Sequence, residues 1–417
     1  MTQKRKLISN FLSLSSINVV NILLTFVTAP YLARVLGPEK LGIIFFAQAV
    51  VQYFNLVTDY GFNLSATREI SIYRDDFNKT SEIFSSVMIV KTVLMFVCFI
   101  ILLIAVFSFE VLHKDYIIYI FSFGTIIGNL LFPIWFFQGM ENMKHIAILN
   151  LISKLMSVIL IITVIKNTSD YIYVPLINSI ACIVVGLIST LMAARLYKLQ
   201  IKIPSVSEIR SQIINGWHVF ISSVMISFYN LADVFLLGIF TDPITVGYYA
   251  TGSKLVRAIE SGLSGTLAQA VNPHVSRLAS LDKKEALLFI QKISKKTLPP
   301  VFILSLLLLI FAGQISNLIF GSKFEGSIIV IRMLSFLPFL ALTATINCNF
   351  YLLAFGYFNK YMRVILASII VSFSVMFFFL AFTTIKIIGV CIGVLLFALT
   401  IIFLTFPIIK KEYPKIQ

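Results

Sequence analysis

The sequence predicts an all-helical integral membrane protein with about twelve membrane-spanning helices. Hydrophobic residues make up 59% of the 417 positions and charged residues only 12%, whereas a soluble domain carries roughly 25% charged residues. Apolar runs of roughly 20 residues, the length that crosses a bilayer, recur along the whole chain. The lysines and arginines lie mainly between these runs, which is where the topology of a membrane protein places them.

Twelve segments are long and apolar enough to span a bilayer as helices. The first, second, seventh and eighth are the least apolar of the set. Because the connections on the outer side are short, the sequence leaves no room there for a separate catalytic domain. The predicted spans are 8–34, 40–60, 83–109, 116–138, 145–165, 171–194, 213–240, 246–270, 297–320, 327–352, 360–382 and 386–408.

The distribution of positive charge gives the orientation. With the N-terminus inside, 22 of the 33 lysines and arginines fall in inner segments, 6 in outer segments and 5 within spans. An inner excess of this kind indicates that both termini are cytoplasmic. We therefore attribute the net charge of +15 to topology and to contact with anionic lipid head groups, and expect no nucleic-acid partner.

An internal repeat relates the two halves of the chain. The first two spans align with the seventh and eighth at an offset of 205 residues, which places Gly42 on Gly247, and seven of eight polar positions stay polar. Residues 136–148 resemble 353–365 at an offset of 217, so an insertion lies between. Six spans separate the copies, which gives both halves the same orientation and predicts two six-helix lobes related by a parallel pseudo-two-fold axis. The predicted division is an N-terminal lobe at 1–195, a cytoplasmic linker at 196–212 and a C-terminal lobe at 213–417.

Polar residues follow single faces of the least apolar spans. Spacings of three or four place them in stripes, and a stripe of four polar residues facing lipid would cost several kcal/mol. We therefore expect the stripes to face a water-filled cavity. The stripes comprise Asn18, Asn21, Thr25 and Thr28 in the first span, Gln48, Gln52, Asn55 and Asp59 in the second, and Asn230 and Asp233 in the seventh.

Several charged residues fall inside the predicted spans and need a partner or water. Lys254, Arg257 and Glu260 share one helix face, so they form either an internal ion pair or part of the cavity wall. Lys91 and Lys154 either extend to the inner interface or face the cavity. The remaining excess of positive charge suits an anionic substrate, and arginine matches phosphate oxygens with two parallel hydrogen bonds.

Three stretches of the sequence carry a resemblance to a known family. YLARVLGPEKLG at 31–42 and TDYGFNLSATREIS at 58–71 flank the second span, and WFFQGMENMKHIA lies at 135–147. Together they resemble the O-antigen flippase family of Wzx type, within the MATE-like MOP exporter superfamily. The resemblance implies transport of undecaprenyl-pyrophosphate-linked oligosaccharide, by alternation of two six-helix lobes between inward-open and outward-open states. It also implies a location in the bacterial cytoplasmic (inner) membrane. Its implied partners are membrane lipids, a polysaccharide polymerase and chain-length machinery.

The leading hypothesis is therefore a lipid-linked oligosaccharide flippase. No cofactor is expected, although H+ or Na+ is a candidate coupling ion, and the four scattered cysteines lack metal-ligand spacing. The alternatives are a cation-coupled multidrug exporter of the same superfamily and, in a different class, a membrane polysaccharide polymerase or glycosyltransferase. The predicted site residues are Arg257, Lys254, Arg332 and Arg34 for pyrophosphate, Asn18, Asn21, Gln48, Gln52, Asn55 and Asn230 for glycan, and Asp59, Asp233 and Glu260 for ion coupling.

Overall fold

The computed structural model describes the backbone of residues 3–200 and 202–412. Side-chain surroundings are described from residue 24 onward, except at residues 25, 26, 218, 222, 223, 225, 226, 228 and 412. Across this described part, helices form almost all of the regular structure and no strand occurs. The predicted all-helical class is confirmed.

Packing divides the chain into two units, 1–235 and 236–417, and each is treated by itself. The predicted lobe boundaries around 195–213 stay a prediction. The helices of the first unit are α1 (Gln3–Asp59), α2 (Phe62–Tyr73), α3 (Phe77–Ser108), α4 (Glu110–His113), α5 (Tyr116–Leu131), α6 (Ile134–Gly139), α7 (Met143–Val164), a 3₁₀ turn (Thr168–Ile172), α8 (Tyr173–Leu196) and most of α9 (Val206–Phe240).

The second unit continues from the end of α9. Its helices are α10 (Pro243–Leu281), α11 (Lys283–Ile310), α12 (Ala312–Phe320), a 3₁₀ turn (Ser322–Phe324), α13 (Glu325–Leu334), α14 (Leu337–Thr345), a π-helix (Ile346–Leu353), α15 (Phe358–Phe382) and α16 (Lys386–Glu412).

The span count agrees with the prediction. Within the described residues, nine helical segments are long and apolar enough to cross a membrane. One of them, Val27–Tyr73, contains the end of the first predicted span and the whole of the second, which meet near Gly37, whose φ of 73° interrupts α1. Two further helices complete the set: α9, whose described apolar stretch Tyr229–Phe240 is shorter than a span, and α10, which is more polar than the others. Together these segments account for about twelve spans.

Helix breaks shift several predicted boundaries. The predicted fourth span is two helices, α5 and α6, separated at Phe132–Pro133, because proline lacks the N–H that would continue the helix. The predicted ninth span is interrupted at Phe311, between α11 and α12. α11 also begins earlier than predicted, at Lys283, because the side chain of Asp282 caps its first turn.

The repeat is visible in the order of the helices. Pro38 and Pro243 begin the second helix of each half, and Pro133 and Pro338 stand at the break of the fourth span in each half, all at the offset of 205. The six-residue helix α6 then corresponds to the nine residues of α14 followed by the eight-residue π-helix. The predicted insertion therefore lies within the fourth span of the second half.

Loops predicted to share the inner side of the membrane contact each other in the first unit. Arg74, after α2, forms an ion pair of 2.9 Å with Glu141, which lies between α6 and α7. Gln212 of α9 donates a hydrogen bond of 2.8 Å from its Nε2 to Glu69 of α2. These contacts place three predicted inner segments together.

Loops predicted to share the outer side also meet. The hydroxyl of Thr168 donates to the carbonyl oxygen of Val35 at 3.2 Å, and the hydroxyl of Tyr171 donates to Asp115 at 3.1 Å. These contacts join the first, second and third predicted outer segments. The alternation of sides deduced from the positive charges is thus reproduced by the packing of the first unit.

Candidate functional site

A polar cavity of about 350 Å³ lies within the first unit. Its wall comes from the second half of α1, the turn between α1 and α2, the first residues of α2, and α9. Six of its ten lining residues are polar, which is unusual inside a membrane protein unless the space holds water or a polar ligand. The lining residues are Gln52, Asn55, Leu56, Asp59, Gly61, Asn63, Leu64, Ser227, Asn230 and Leu231.

Helical spacing explains why these side chains converge. Gln52, Asn55 and Asp59 are three and four residues apart, so they share the face of α1 that borders the cavity. Ser227 and Asn230 are likewise three residues apart on α9. The sequence therefore predicted four lining residues that the structure brings together, namely Gln52, Asn55, Asp59 and Asn230.

The turn after Asp59 fixes α9 against α1. Gly61 has a φ of 74°, and a Cβ atom there would lie 2.9 Å from the backbone nitrogen of Phe220, so only glycine fits. The preceding Tyr60 stacks its ring on that of Phe220 at 4.6 Å, and its hydroxyl donates to the carbonyl oxygen of Ile213 at 3.3 Å. The TDYG part of the sequence motif thus docks α9 beside the cavity.

An ion pair lies at the wall of the cavity. The Nζ of Lys91 in α3 lies 2.8 Å from Oδ1 of Asp59, with 2% of the lysine side chain and 24% of the aspartate side chain exposed. Asn55 Nδ2 approaches the other carboxylate oxygen at 3.5 Å, and Asn129 Nδ2 donates to Asn55 Oδ1 at 3.1 Å. Lys91 therefore extends neither to the membrane interface nor into the cavity.

Other predicted residues of the first unit lie away from this cavity. Gln48 is half-buried one turn before Gln52 and does not line the space, and Arg34 is exposed near the outer end of the first span. Asp233 is buried, accepts a hydrogen bond of 2.8 Å from the backbone N–H of Val234, and interacts electrostatically with Tyr53. The side chains of Asn18 and Asn21 lie outside the described residues.

The predicted cationic residues of the interior lie in the second unit. On α10, Lys254 is exposed, while Arg257 and Glu260 are half-buried and interact electrostatically. Arg332 is exposed on α13, which packs on α10 close to Gly252. Arg257 and Glu260 thus influence each other electrostatically, as their spacing on one helix face allows.

The second motif of the resemblance has a packing role. Thr67 of α2 donates a hydrogen bond of 3.1 Å to the carbonyl oxygen of Trp135, and a Cβ atom on Gly139 would lie 2.6 Å from the Cβ of Ile70. Trp135 is itself fully buried. α2 and α6, which carry two of the motifs, thus fit closely against each other beside the turn that lines the cavity.

The chain matches the model of a known protein family over the region that contains the cavity. The family model described as polysaccharide biosynthesis protein matches residues 7–279, which include all ten lining residues. The chain belongs to this polysaccharide biosynthesis protein family. The matched range also includes α2 and α6, which contact each other through the motifs. It includes the part of α10 that contains Arg257 as well.

Relatives in the polysaccharide biosynthesis protein family agree in length and class. A protein of Escherichia coli K12 named "Putative O-antigen transporter" is 31% identical over 384 residues, which cover 90% of each chain. A protein of Haloferax volcanii named "Probable low-salt glycan biosynthesis flippase" is 26% identical over 330 residues, covering 76% of this chain and 66% of that one. By family and relatives, the chain is a membrane transporter of the flippase kind and not an enzyme, as predicted.

Solved structures share the fold. An inward-facing multidrug resistance MATE family transporter of the MOP superfamily aligns with a TM-score of 0.74 at 13% identity, covering 96% of this chain and 98% of that one. A lipid II flippase in an inward closed conformation aligns with a TM-score of 0.63 at 13% identity, covering 97% and 89%. At these identities the likeness establishes the fold alone, and this fold is the one that the sequence analysis expected.

Proposed function

We propose that this protein is a flippase that moves an undecaprenyl-pyrophosphate-linked oligosaccharide, an O-antigen or similar surface polysaccharide unit, across the cytoplasmic membrane by alternating access. The observation that carries the proposal is the polar cavity of the first unit, in a chain of the polysaccharide biosynthesis protein family. The names of the Escherichia coli and Haloferax volcanii relatives support the same substrate class.

The cavity offsets the main energetic cost of glycan transport, which is the removal of sugar hydroxyls from water. Each hydroxyl that leaves water without a replacement hydrogen bond costs roughly 1–3 kcal/mol by mutational measures, and an oligosaccharide carries many. Amide side chains replace those bonds because each offers two N–H donors and an accepting oxygen. Gln52, Asn63 and Asn230 give the cavity three such groups, so sugar hydroxyls exchange water for protein there.

The pyrophosphate requires positive charge, and we assign it first to Arg257 and Lys254 of α10. A guanidinium binds two phosphate oxygens at once, which gives it both strength and orientation. Arg332 and Arg34 are secondary candidates. The prenyl chain stays in the bilayer throughout, since its burial in lipid needs no protein groups.

Ion coupling is assigned to the acids within the predicted spans. The candidates are Asp59, Asp233 and Glu260, and of these Asp59 has Lys91 as its counter-ion. An acid in a membrane interior either finds a positive partner or takes up a proton, so H+ or Na+ can compensate it. Both termini face the cytoplasm in this proposal, and a polysaccharide polymerase with its chain-length machinery receives the product on the other side.

Deletion of the gene tests the proposal. Cells that lack the protein are expected to accumulate lipid-linked oligosaccharide in the cytoplasmic leaflet and to lose surface polysaccharide, and a plasmid copy should restore both. The leaflet is determined by whether a membrane-impermeant glycosidase reaches the oligosaccharide from outside the cell. Normal surface polysaccharide in the deletion strain, together with raised sensitivity to cationic drugs, would contradict a flippase and favour a drug exporter.

A further inference from the structure

We infer that the cavity of the first unit receives an uncharged sugar ring and discriminates against sugars that carry a carboxylate, such as uronic acids. This inference rests on the proposed function, since it assigns one part of the lipid-linked substrate to one part of the protein. It adds a chemical class that the family does not specify. By the predicted topology, residues 52–64 lie in the inner half of the membrane, where a sugar unit enters from the cytoplasm.

The hydrogen-bonding groups of the cavity are available to a ligand. Gln52, Asn63, Ser227 and Asn230 make no side-chain hydrogen bond to the part of the chain that the structure describes, although all four line the cavity. Three of them are amides and one is a hydroxyl, so each can both donate and accept. That pattern matches sugar hydroxyls and acetamido groups, which also do both.

Apolar side chains complete the wall. Leu56, Leu64 and Leu231 line the same cavity. A pyranose ring has polar edges and faces made of C–H groups, so it needs hydrogen bonds at its rim and apolar contact on its faces. The volume of about 350 Å³ lies near the lower end of the roughly 300–1,000 Å³ of small-molecule sites, which suits a small part of an oligosaccharide and not the whole.

The charge of the cavity wall argues for an uncharged occupant. Among the lining residues, Asp59 is the only ionisable group, and its partner Lys91 is 2% exposed. The pair therefore leaves little net charge at the wall. A carboxylate brought into this space would lose its water, meet the carboxylate of Asp59, and find no cation among the lining residues.

A matched pair of ligands tests the inference. The probes are short-chain prenyl pyrophosphates that carry either glucose or glucuronic acid, which differ only in a CH₂OH or COO⁻ group. Binding of each to the full-length protein in nanodiscs is measured by titration. Since the pyrophosphate is common to both, the ratio of the two dissociation constants reports on the sugar subsite. We expect the glucose probe to bind at least about tenfold more tightly.

One substitution and its control assign the effect to this cavity. Gln52→Arg puts a cation into the wall and should move the ratio by about tenfold toward the glucuronic acid probe. Asn215→Arg adds the same charge at an exposed position of α9 outside the cavity lining, and should leave the ratio as in the wild type.

Three outcomes overturn the inference. Equal binding of both probes by the wild type, or tighter binding of the acidic one, contradicts the selectivity while leaving the flippase proposal intact. Equal responses to the Gln52 and Asn215 substitutions would place any selectivity outside this cavity. Failure to bind either probe would overturn the inference together with the proposed function, because neither the sugar nor the pyrophosphate would then be recognised.

Discussion

The ammonium of Lys91 lies 2.8 Å from a carboxylate oxygen of Asp59, with 2% of the lysine side chain exposed. The two residues belong to different helices, and Asn55 also contacts the carboxylate at 3.5 Å. Charges placed in a membrane interior are tolerated only with partners of this kind. The pair therefore ties α3 to the end of α1 beside the cavity.

Removing one member of the pair should destabilise the protein. Lys91→Met leaves Asp59 charged and without its counter-ion, and breaking a buried pair costs about 3–5 kcal/mol. The measurement is the unfolding midpoint of the purified protein in detergent. The double variant Asp59→Asn with Lys91→Met removes both charges and should recover most of the loss.

A matched lysine serves as control for that experiment. Lys154 also lies within a span but forms no ion pair with any residue in the described part of the chain. Lys154→Met should therefore lower the midpoint much less than Lys91→Met. Equal effects of the two single variants would contradict the assigned role of the pair.

The sequence predicted the spans well because hydropathy and charge act locally. A span is predicted from its own run of apolar residues, and the side of a loop is predicted from the lysines and arginines within that loop. The Lys91–Asp59 contact is different, since it joins residues 32 positions apart and leaves no trace in the pattern of either segment. Asn129, which is 74 positions from Asn55, was missed for the same reason.

Hydropathy also failed to predict the breaks within the spans. Pro133 and Pro338 interrupt helices whose composition stays apolar, so the predicted spans ran through them. The π-helix after α14 lengthens the fourth span of the second half without making it more polar. In the sequence, the only sign of this insertion was the change of the repeat offset from 205 to 217. In the cavity, Gln52, Asn55 and Asp59 were predicted from helical spacing, whereas Asn63 lies beyond the turn and belonged to no stripe.

A larger residue at the contact between α2 and α6 should disturb the packing of the two helices. Gly139→Ala places a Cβ atom 2.6 Å from that of Ile70 and 2.9 Å from the backbone oxygen of Thr67. Overpacking of this kind should cost about 1–3 kcal/mol and lower the unfolding midpoint. The control is Gly265→Ala on α10, where the described part of the chain places no atom of another element within 4 Å of such a Cβ, and which should be neutral or slightly stabilising. A midpoint unchanged by Gly139→Ala would contradict the close fit of the two motifs.

Substitution of the cationic residues of α10 should reduce transport. Arg257→Ala removes a charged hydrogen-bond donor worth about 1.5–3 kcal/mol, so the efficiency of transport should fall roughly 10- to 100-fold. Arg257→Lys should restore part of it, because lysine keeps the charge but not the paired geometry. The measurement is surface polysaccharide in the deletion strain at equal protein levels.

Arg277→Ala is the matched control for Arg257, since Arg277 is an exposed arginine on the same helix in a predicted cytoplasmic segment. It should leave transport near the wild-type level. If Arg257→Ala and Lys254→Ala both retained full transport, the pyrophosphate would have to be held elsewhere.

The predicted orientation can be tested with two serines. Ser169 and Ser207 are both exposed, and lie in segments predicted to be outer and inner respectively. In a variant without native cysteines, Ser169→Cys should react with a membrane-impermeant thiol reagent in intact cells. Ser207→Cys should react only after the cells are opened. The reverse result would place the termini outside.

Movement of the substrate itself is the most direct test of a flippase. Purified protein is reconstituted into vesicles whose undecaprenyl-pyrophosphate-linked oligosaccharide starts in one leaflet, and its arrival in the other is followed with an impermeant glycosidase. We predict transfer that depends on the wild-type protein and is reduced by Arg257→Ala. Transfer no faster than in protein-free vesicles, under every applied H+ or Na+ gradient, would contradict the proposed function.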